Sequence, residues 1–346
     1  HAITFVHGNH DVELHWQAVR EELSQVLLGH ASPLADEAEF LSRIEHAEWF
    51  YYVDDVIYVE HGHQYDPFCA MEHIMAPLSP SLPGRLARGF CDVFLRYVVK
   101  PTPGLTEHGH ESKGVFDYIA LGARLGLRGT VDVGLRFVRA ILELFRLRRE
   151  HFSEAARALA REHERRIALL AEAKRIGVGR LRAILALQAP PITKSIRGIL
   201  ASVLLDRIAL GLAASLALVI LALVGLKAGY FALSAGLVLV AWVLTHRHLA
   251  KHRHVCPADQ LAERAAHLAQ IFPAAVVVKG HTHVPQRVPV QEGATYVNLG
   301  SWSEDEGDDE HYAKAARTHL VIHPKPTGLQ GELLQWDPIA GPRRLA

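Results

Sequence analysis

The stretch from Ile208 to Leu244, IALGLAASLALVILALVGLKAGYFALSAGLVLVAWVL, runs 37 residues with Lys227 as its only charge. A spanning helix needs roughly 20 apolar residues, so the run is long enough for two short crossings turned at GLKAG, residues 225 to 229. A buried helix pair in a soluble core is the other option, but cores rarely continue this far without polar punctuation. The chain is therefore expected to carry a transmembrane helical hairpin, and everything else must fold around that interruption. Arg207 ahead of the run and HRHLAKHRH (His246 to His254) behind it place cations at both ends, which favours the cytoplasmic side for each. The histidine-rich segment reads as a cationic face beside anionic lipid rather than as a metal site. Two crossings return the chain to the side it left, so the segments before and after the hairpin share the cytoplasm.

Those outer segments have α/β character. Residues 1 to 66 read as a strand at ITFVHG, a helix through ELHWQAVREELSQVLL, a second helical stretch at DEAEFLSRIEHAEWF and a strand at DDVIYVEHGH. Residues 247 to 346 return to strands at AAVVVKGH, ATYVNLGSW, THLVIH and GELLQW, separated by Gly, Pro and charged turns. Residues 67 to 206 form an insertion of different composition. It is rich in Pro and Gly as far as about residue 130; from Phe137 to Leu187 it is an arginine-rich amphipathic helical region without proline. An interfacial role and a soluble helical hairpin both fit that region. The expected division is thus 1–66, 67–206, a hairpin at 207–246, and 247–346.

Lysine plus arginine equal aspartate plus glutamate, 37 each, so no global field recruits nucleic acid or another polyanion. Cys69, Cys91 and Cys256 are too scattered for a disulfide framework and suit a reducing compartment. The first residues, starting at His1, already read as strand interior, so the chain is expected to be a fragment or a processed product.

Three strand ends deliver histidine. Gly8-Asn9-His10-Asp11 follows ITFV, His61-Gly62-His63 follows DDVIYVE, and Gly280-His281-Thr282-His283 follows AAVVVK. Loops at the carboxyl edge of a sheet are where α/β folds gather ligands. Asn9 offers a neutral oxygen, and His10 an imidazole that can give or take a proton. If the chain continues extended, His281 and His283 point to one face. Asp11 is expected to cap the following helix, and His63 to be structural. A further His108-Gly109-His110 has no strand to hold it and reads as a surface loop. The acidic run Ser303 to His311 reads as a solvated loop, and Trp49, Phe50, Tyr51 and Tyr52 as core.

In their order and chemistry these motifs resemble the calcineurin-like metallophosphoesterase superfamily, whose Gly-Asn-His-Asp, strand-end His and Gly-His-x-His segments match residues 8–11, 61 and 280–283. The Asn-x-Gly-Ser that follows the last motif in many members is matched by Asn298-Leu299-Gly300-Ser301. The likeness covers residues 1 to about 66 and about 270 to 335. It implies an αββα sandwich, here interrupted by the helical insertion and its hairpin. It also implies that Asn9, His61, His281 and His283 are ligands of two divalent ions, manganese before iron or zinc, with His10 as the acid. Two such ions roughly 3.5–4 Å apart would polarise a phosphoryl group and generate the attacking hydroxide. The family's Asp-x-His and Gly-Asp motifs precede Gly-Asn-His-Asp in chain order and so are expected upstream of His1; without them metal binding is weaker. The membrane anchor is similar to that of UDP-2,3-diacylglucosamine pyrophosphohydrolases, which implies a phosphorylated small-molecule or lipid-linked substrate, with membrane lipids as partners. Two other readings exist: a catalytically silent membrane scaffold or sensor on the same fold, and a metal-dependent nuclease. The second needs a basic groove that the mixed charges of the α/β halves do not supply.

Overall fold

The structure, a computed structural model, describes residues 2–31, 36–82, 84–103, 105, 115–225, 227–251, 257–290, 293–302, 317–325 and 328–344. The His108–His110 motif, the end of the HRHLAKHRH segment and the acidic run lie outside them. Packing divides the chain into two units, one of residues 1–92, 149–191 and 257–346, the other of 93–148 and 192–256.

The first unit opens with strand β1 (Ile3–Val6), helix α1 (Gln17–Gly29) and helix α2 (Glu37–Ser42). The segment DEAEFLSRIEHAEWF, expected to be helical, is so only in α2. It then turns into β2 (Ile44–Ala47) and β3 (Phe50–Val53). Its helix formers are overridden because β2 pairs in parallel with β1, Ile3 opposite Ile44, while β3 pairs antiparallel with β4 (Asp55–Glu60). The cost of that override is offset by burial: Trp49 and Phe50 are each 3% exposed.

Helices α3 (Phe90–Phe94) and α4 (Val115–Glu150) lead to α5 (Glu154–Ala173) and α6 (Val178–Leu187). After α7 (Ile196–Ser202), α8 (Leu205–Leu223), α9 (Ala228–Lys251) and α10 (Pro257–Ile271) come β5 (Ala274–Lys279), β6 (Gln286–Pro289), β7 (Thr295–Asn298), β8 (Thr318–Lys325), β9 (Gly328–Asp337) and β10 (Gly341–Arg344). The main sheet has the order β3-β4-β5-β7-β6, and its central strands β4, β5 and β7 are mutually parallel. Side-chain alternation gives it two apolar faces. Tyr58, Val277 and Tyr296 join Ile167 of α5, Ile184 of α6 and Leu268 of α10 on one side. Ile57, Val59, Val276, Val278 and Val297 meet Leu320 and Leu333 of the second sheet, β8 to β10, on the other.

Alternation also turns the last residues of β4 and β5, Glu60 and Lys279, toward the helix side, where they are 4% and 0% exposed. Lys279 Nζ lies 3.3 Å from Glu60 Oε1 and 3.8 Å from the centre of the Tyr65 ring, and donates to the Leu261 carbonyl at 3.4 Å. Tyr58 donates to Glu60 Oε2 at 3.0 Å. Burial lowers the Lys279 ammonium to about 8, with Glu60 opposing the shift.

In the second unit α8 and α9 lie against each other. They have mean hydropathies of 2.0 over Leu205–Leu223 and 1.8 over Ala228–Ala250, and no part of either apolar window is buried. Both are long and apolar enough to cross a membrane, since 19 residues of helix rise about 28 Å against a hydrocarbon core of about 30 Å. A soluble core would cover such residues, yet Leu212, Leu223, Leu233 and Leu237 are all more than half exposed. HRHLAKHRH begins as the last turns of α9.

Candidate metal centre

Because β4, β5 and β7 run in parallel, their carboxyl ends share one edge of the sheet. Three of the segments marked in the sequence emerge there: His61-Gly62-His63 after β4, Gly280 to His283 after β5, and Leu299-Gly300-Ser301 after β7. The rings of His61 and His63 lie 5.2 Å apart, those of His61 and His281 5.5 Å, and those of His63 and His281 6.5 Å. The charges of His10 and His283 also bear on His61.

The fourth segment arrives from β1. A Cβ placed on Gly8 would stand 2.6 Å from His61 Cδ2 and 2.8 Å from His61 Nε2, so only glycine lets this loop lie against the imidazole. Asp11 is not a side-chain helix cap as expected. It precedes a 3-10 turn, Val12–His15, to which its side chain makes no bond, although its backbone carbonyl accepts the Leu14 N–H at 3.0 Å; its Oδ1 instead accepts the Gly8 N–H at 2.6 Å, closing the Gly8–Asp11 loop on itself. Asn9 sits between Gly8 and the exposed His10, and its buried Oδ1 has no hydrogen-bond partner.

The backbone at residues 281 to 283 departs from the extended path read in the sequence. β5 stops at Lys279, and both His281 (φ 69°) and His283 (φ 59°) are left-handed. That geometry costs on the order of 1 kcal/mol per residue, so other contacts must impose it. Asn298, 1% exposed, supplies them: its Nδ2 donates to the Gly280 carbonyl at 2.8 Å and to Thr282 Oγ1 at 2.9 Å, and its Oδ1 accepts from Gly300 N at 3.0 Å. Gly62, at φ 100°, makes the matching turn after β4, where a Cβ would strike Leu261 Cδ2 at 2.8 Å.

Two contacts had no signal in the sequence. His281 Nε2 meets Asp66 Oδ2 at 3.0 Å, and Asp66 is itself fixed by the Phe68 N–H at 2.9 Å. A carboxylate on one imidazole nitrogen sets the ring and raises the basicity of the other. Cys69 Sγ lies 3.2 Å from Cys91 Sγ as a thiol pair. The contact with Cys91, together with burial, holds the Cys69 thiol well above its usual range. The ligand atoms of Asp66, Cys69 and His281 all lie within 4.8 Å of one another.

The electrostatics suit a cation. Burial, then the neighbouring imidazoles His63, His281, His10 and His283, push His61 well below its ordinary value. Burial, then His281 and His10, lower His63 to about 3. Both rings are therefore neutral at pH 7, the form in which imidazole binds metal. His63, expected to be structural, is 4% exposed and lies 3.2 Å from His61, Nδ1 to Nδ1.

Neutral buried histidines also make the fold acid-sensitive. Burial holds His7 and His163 at about 4, against about 6.5 in the unfolded chain. Between those values the unfolded chain binds protons that the folded chain refuses, so stability is complete above pH 6.5 and falls as pH drops toward 4. His163, 6% exposed and accepting the Met75 N–H at 3.3 Å, accounts for a loss on the order of 3 kcal/mol. Thermal melts at pH 7.5, 6 and 5 are expected to show a falling Tm, and His163→Gln to flatten the slope. A Tm independent of pH would contradict this. Compared with family models, curated proteins and solved structures, the chain finds no match in any of the three.

Proposed function

We propose that the first unit is a metallophosphoesterase-type αββα sandwich and that the chain is a membrane-anchored hydrolase of phosphoester or pyrophosphate bonds. The observation that carries this reading is the meeting of His61, His63 and His281 at one sheet edge, with rings 5.2 to 6.5 Å apart and those of His61 and His63 held neutral, beside a Gly8 whose missing Cβ leaves room for the ring of His61. The donor set fits divalent ions of the manganese, iron or zinc type. Asn9, whose buried Oδ1 has no protein partner, would hold one together with His61, His281 and His283. When bound, such a pair of ions supplies Lewis acidity at the phosphoryl oxygens.

The chain's own residues do the rest. Asp66 orients His281 through its 3.0 Å contact, and Asn298 holds the 280–283 loop in its left-handed turn. His10, exposed and next to Asn9, would pass a proton to the departing oxygen. With α8 and α9 as a bilayer hairpin and cations at both of its ends, the hydrolase faces the cytoplasm. A substrate whose phosphate is carried on a lipid suits that placement.

Titration of the purified chain with manganese tests the reading. Saturable binding is expected, weakened at least 10-fold by His61→Ala and by about 10- to 100-fold by Asp66→Ala, a supporting group. Binding unaffected by His61→Ala would reject the centre and leave the scaffold reading in its place.

A further inference from the structure

Helix α4 has two apolar faces, and only one is covered. Its backbone leaves helical geometry at Gly126 (φ 70°, ψ 179°). Beyond that point Ala140, Leu144 and Leu147 are buried, at 0%, 0% and 5% exposure, with the spacing of a single helical face. Leu127, Val131, Leu135, Val138 and Leu142 also recur at three- and four-residue intervals, yet they are 82%, 56%, 53%, 53% and 64% exposed. At 3.6 residues per turn these five fall within an arc of about 80°, centred roughly 170° from the buried face, and extend for about 22 Å. Single exposed apolar side chains are ordinary; five in register need a partner.

We propose that this outer face of α4 lies in the plane of a membrane rich in anionic lipid, at the boundary between headgroups and acyl chains. The helix as far as Arg148 belongs to the same compact unit as α8 and α9, the two helices long and apolar enough to cross a bilayer. The charge is complementary as well. Residues 115 to 150 hold seven arginines and four carboxylates, and Arg128 and Arg139, both exposed, run along one border of the stripe. Leucine and valine below a guanidinium border form the pattern of a helix lying in the interface, where arginine meets lipid phosphate. An antiparallel two-fold contact with a second copy of α4 would instead set arginine borders of like charge near each other.

The experiment uses the full chain in nanodiscs of phosphatidylcholine with or without phosphatidylglycerol, doped with a phospholipid carrying a photoactivatable acyl chain, and peptides are mapped by mass spectrometry. Labelling of residues 127–142 is expected in anionic discs. It should fall at least fivefold in Leu135→Glu/Val138→Glu while the labelling of α8 and α9 is unchanged, which shows that the variant has folded and inserted. Arg128→Ala/Arg139→Ala should lower α4 labelling in anionic discs only. Unlabelled α4 beside labelled α8 and α9, or α4-to-α4 crosslinks in place of lipid adducts, would overturn the proposal. Labelled α4 with unlabelled α8 and α9 would support it and reject the hairpin's crossing instead.

Discussion

Lys279→Met is expected to destabilise the first unit by about 3–5 kcal/mol, and the double substitution Glu60→Leu/Lys279→Met by much less. Lys279 is fully buried, 3.3 Å from Glu60, with the Tyr65 ring and the Leu261 carbonyl completing its surroundings. Removing the lysine alone strands a carboxylate that is 4% exposed; the Tyr58 hydroxyl at 3.0 Å is too little to replace a cation. Removing both charges leaves an apolar contact between adjacent strands inside a core that already holds Tyr58, Leu261 and Val277. Thermal unfolding in detergent, followed by circular dichroism, separates the two variants. A single substitution costing under about 1 kcal/mol would mean that water reaches the pair. The position matters because the pair joins β4 and β5 immediately before His61 and Gly280. The single variant is therefore also expected to bind manganese less tightly at temperatures well below its Tm.

The second large effect is on turnover. His10→Ala should lower kcat on a phosphoester substrate by about 10²- to 10⁴-fold, the usual contribution of a positioned proton donor, with manganese affinity largely unchanged. The split follows from placement: His10 is exposed, whereas His63 is buried and His61 is pressed against Gly8. His61→Ala should do the reverse, acting first on the metal. The assay belongs on the chain with any residues its gene encodes ahead of His1 restored. Equal kcat for the His10→Ala variant and the parent would remove His10 from the chemistry.

How much of this was legible in the sequence depended on how local the cause was. Strands β4, β5 and β7 announce themselves as short apolar, β-branched runs, and α8 and α9 as an uncharged stretch too long for an ordinary core. The histidine motifs stand out because each directly follows a strand. The segment from Asp36 to Phe50 misled because Glu and Ala favour a helix locally, while the pairing of Ile44–Ala47 with β1 is a tertiary fact. The left-handed turns at His281 and His283 were hidden for a similar reason: Asn298, which holds them, is remote in sequence. Glu60 and Lys279 each look like a polar strand end until parallel pairing sets them opposite each other. Asp66 and the Cys69–Cys91 approach lie in or beside an irregular segment, where no periodicity reports what faces what.

We propose that β1, β4 and β5 carry one asparagine and three histidines to a common cation site. Crystals grown with manganese, measured at an X-ray energy where manganese scatters anomalously, test this most directly. Anomalous density is expected among the side chains of Asn9, His61, His281 and His283. Crystals with manganese in the solution but no such density there, or with density only at other residues, would contradict the claim.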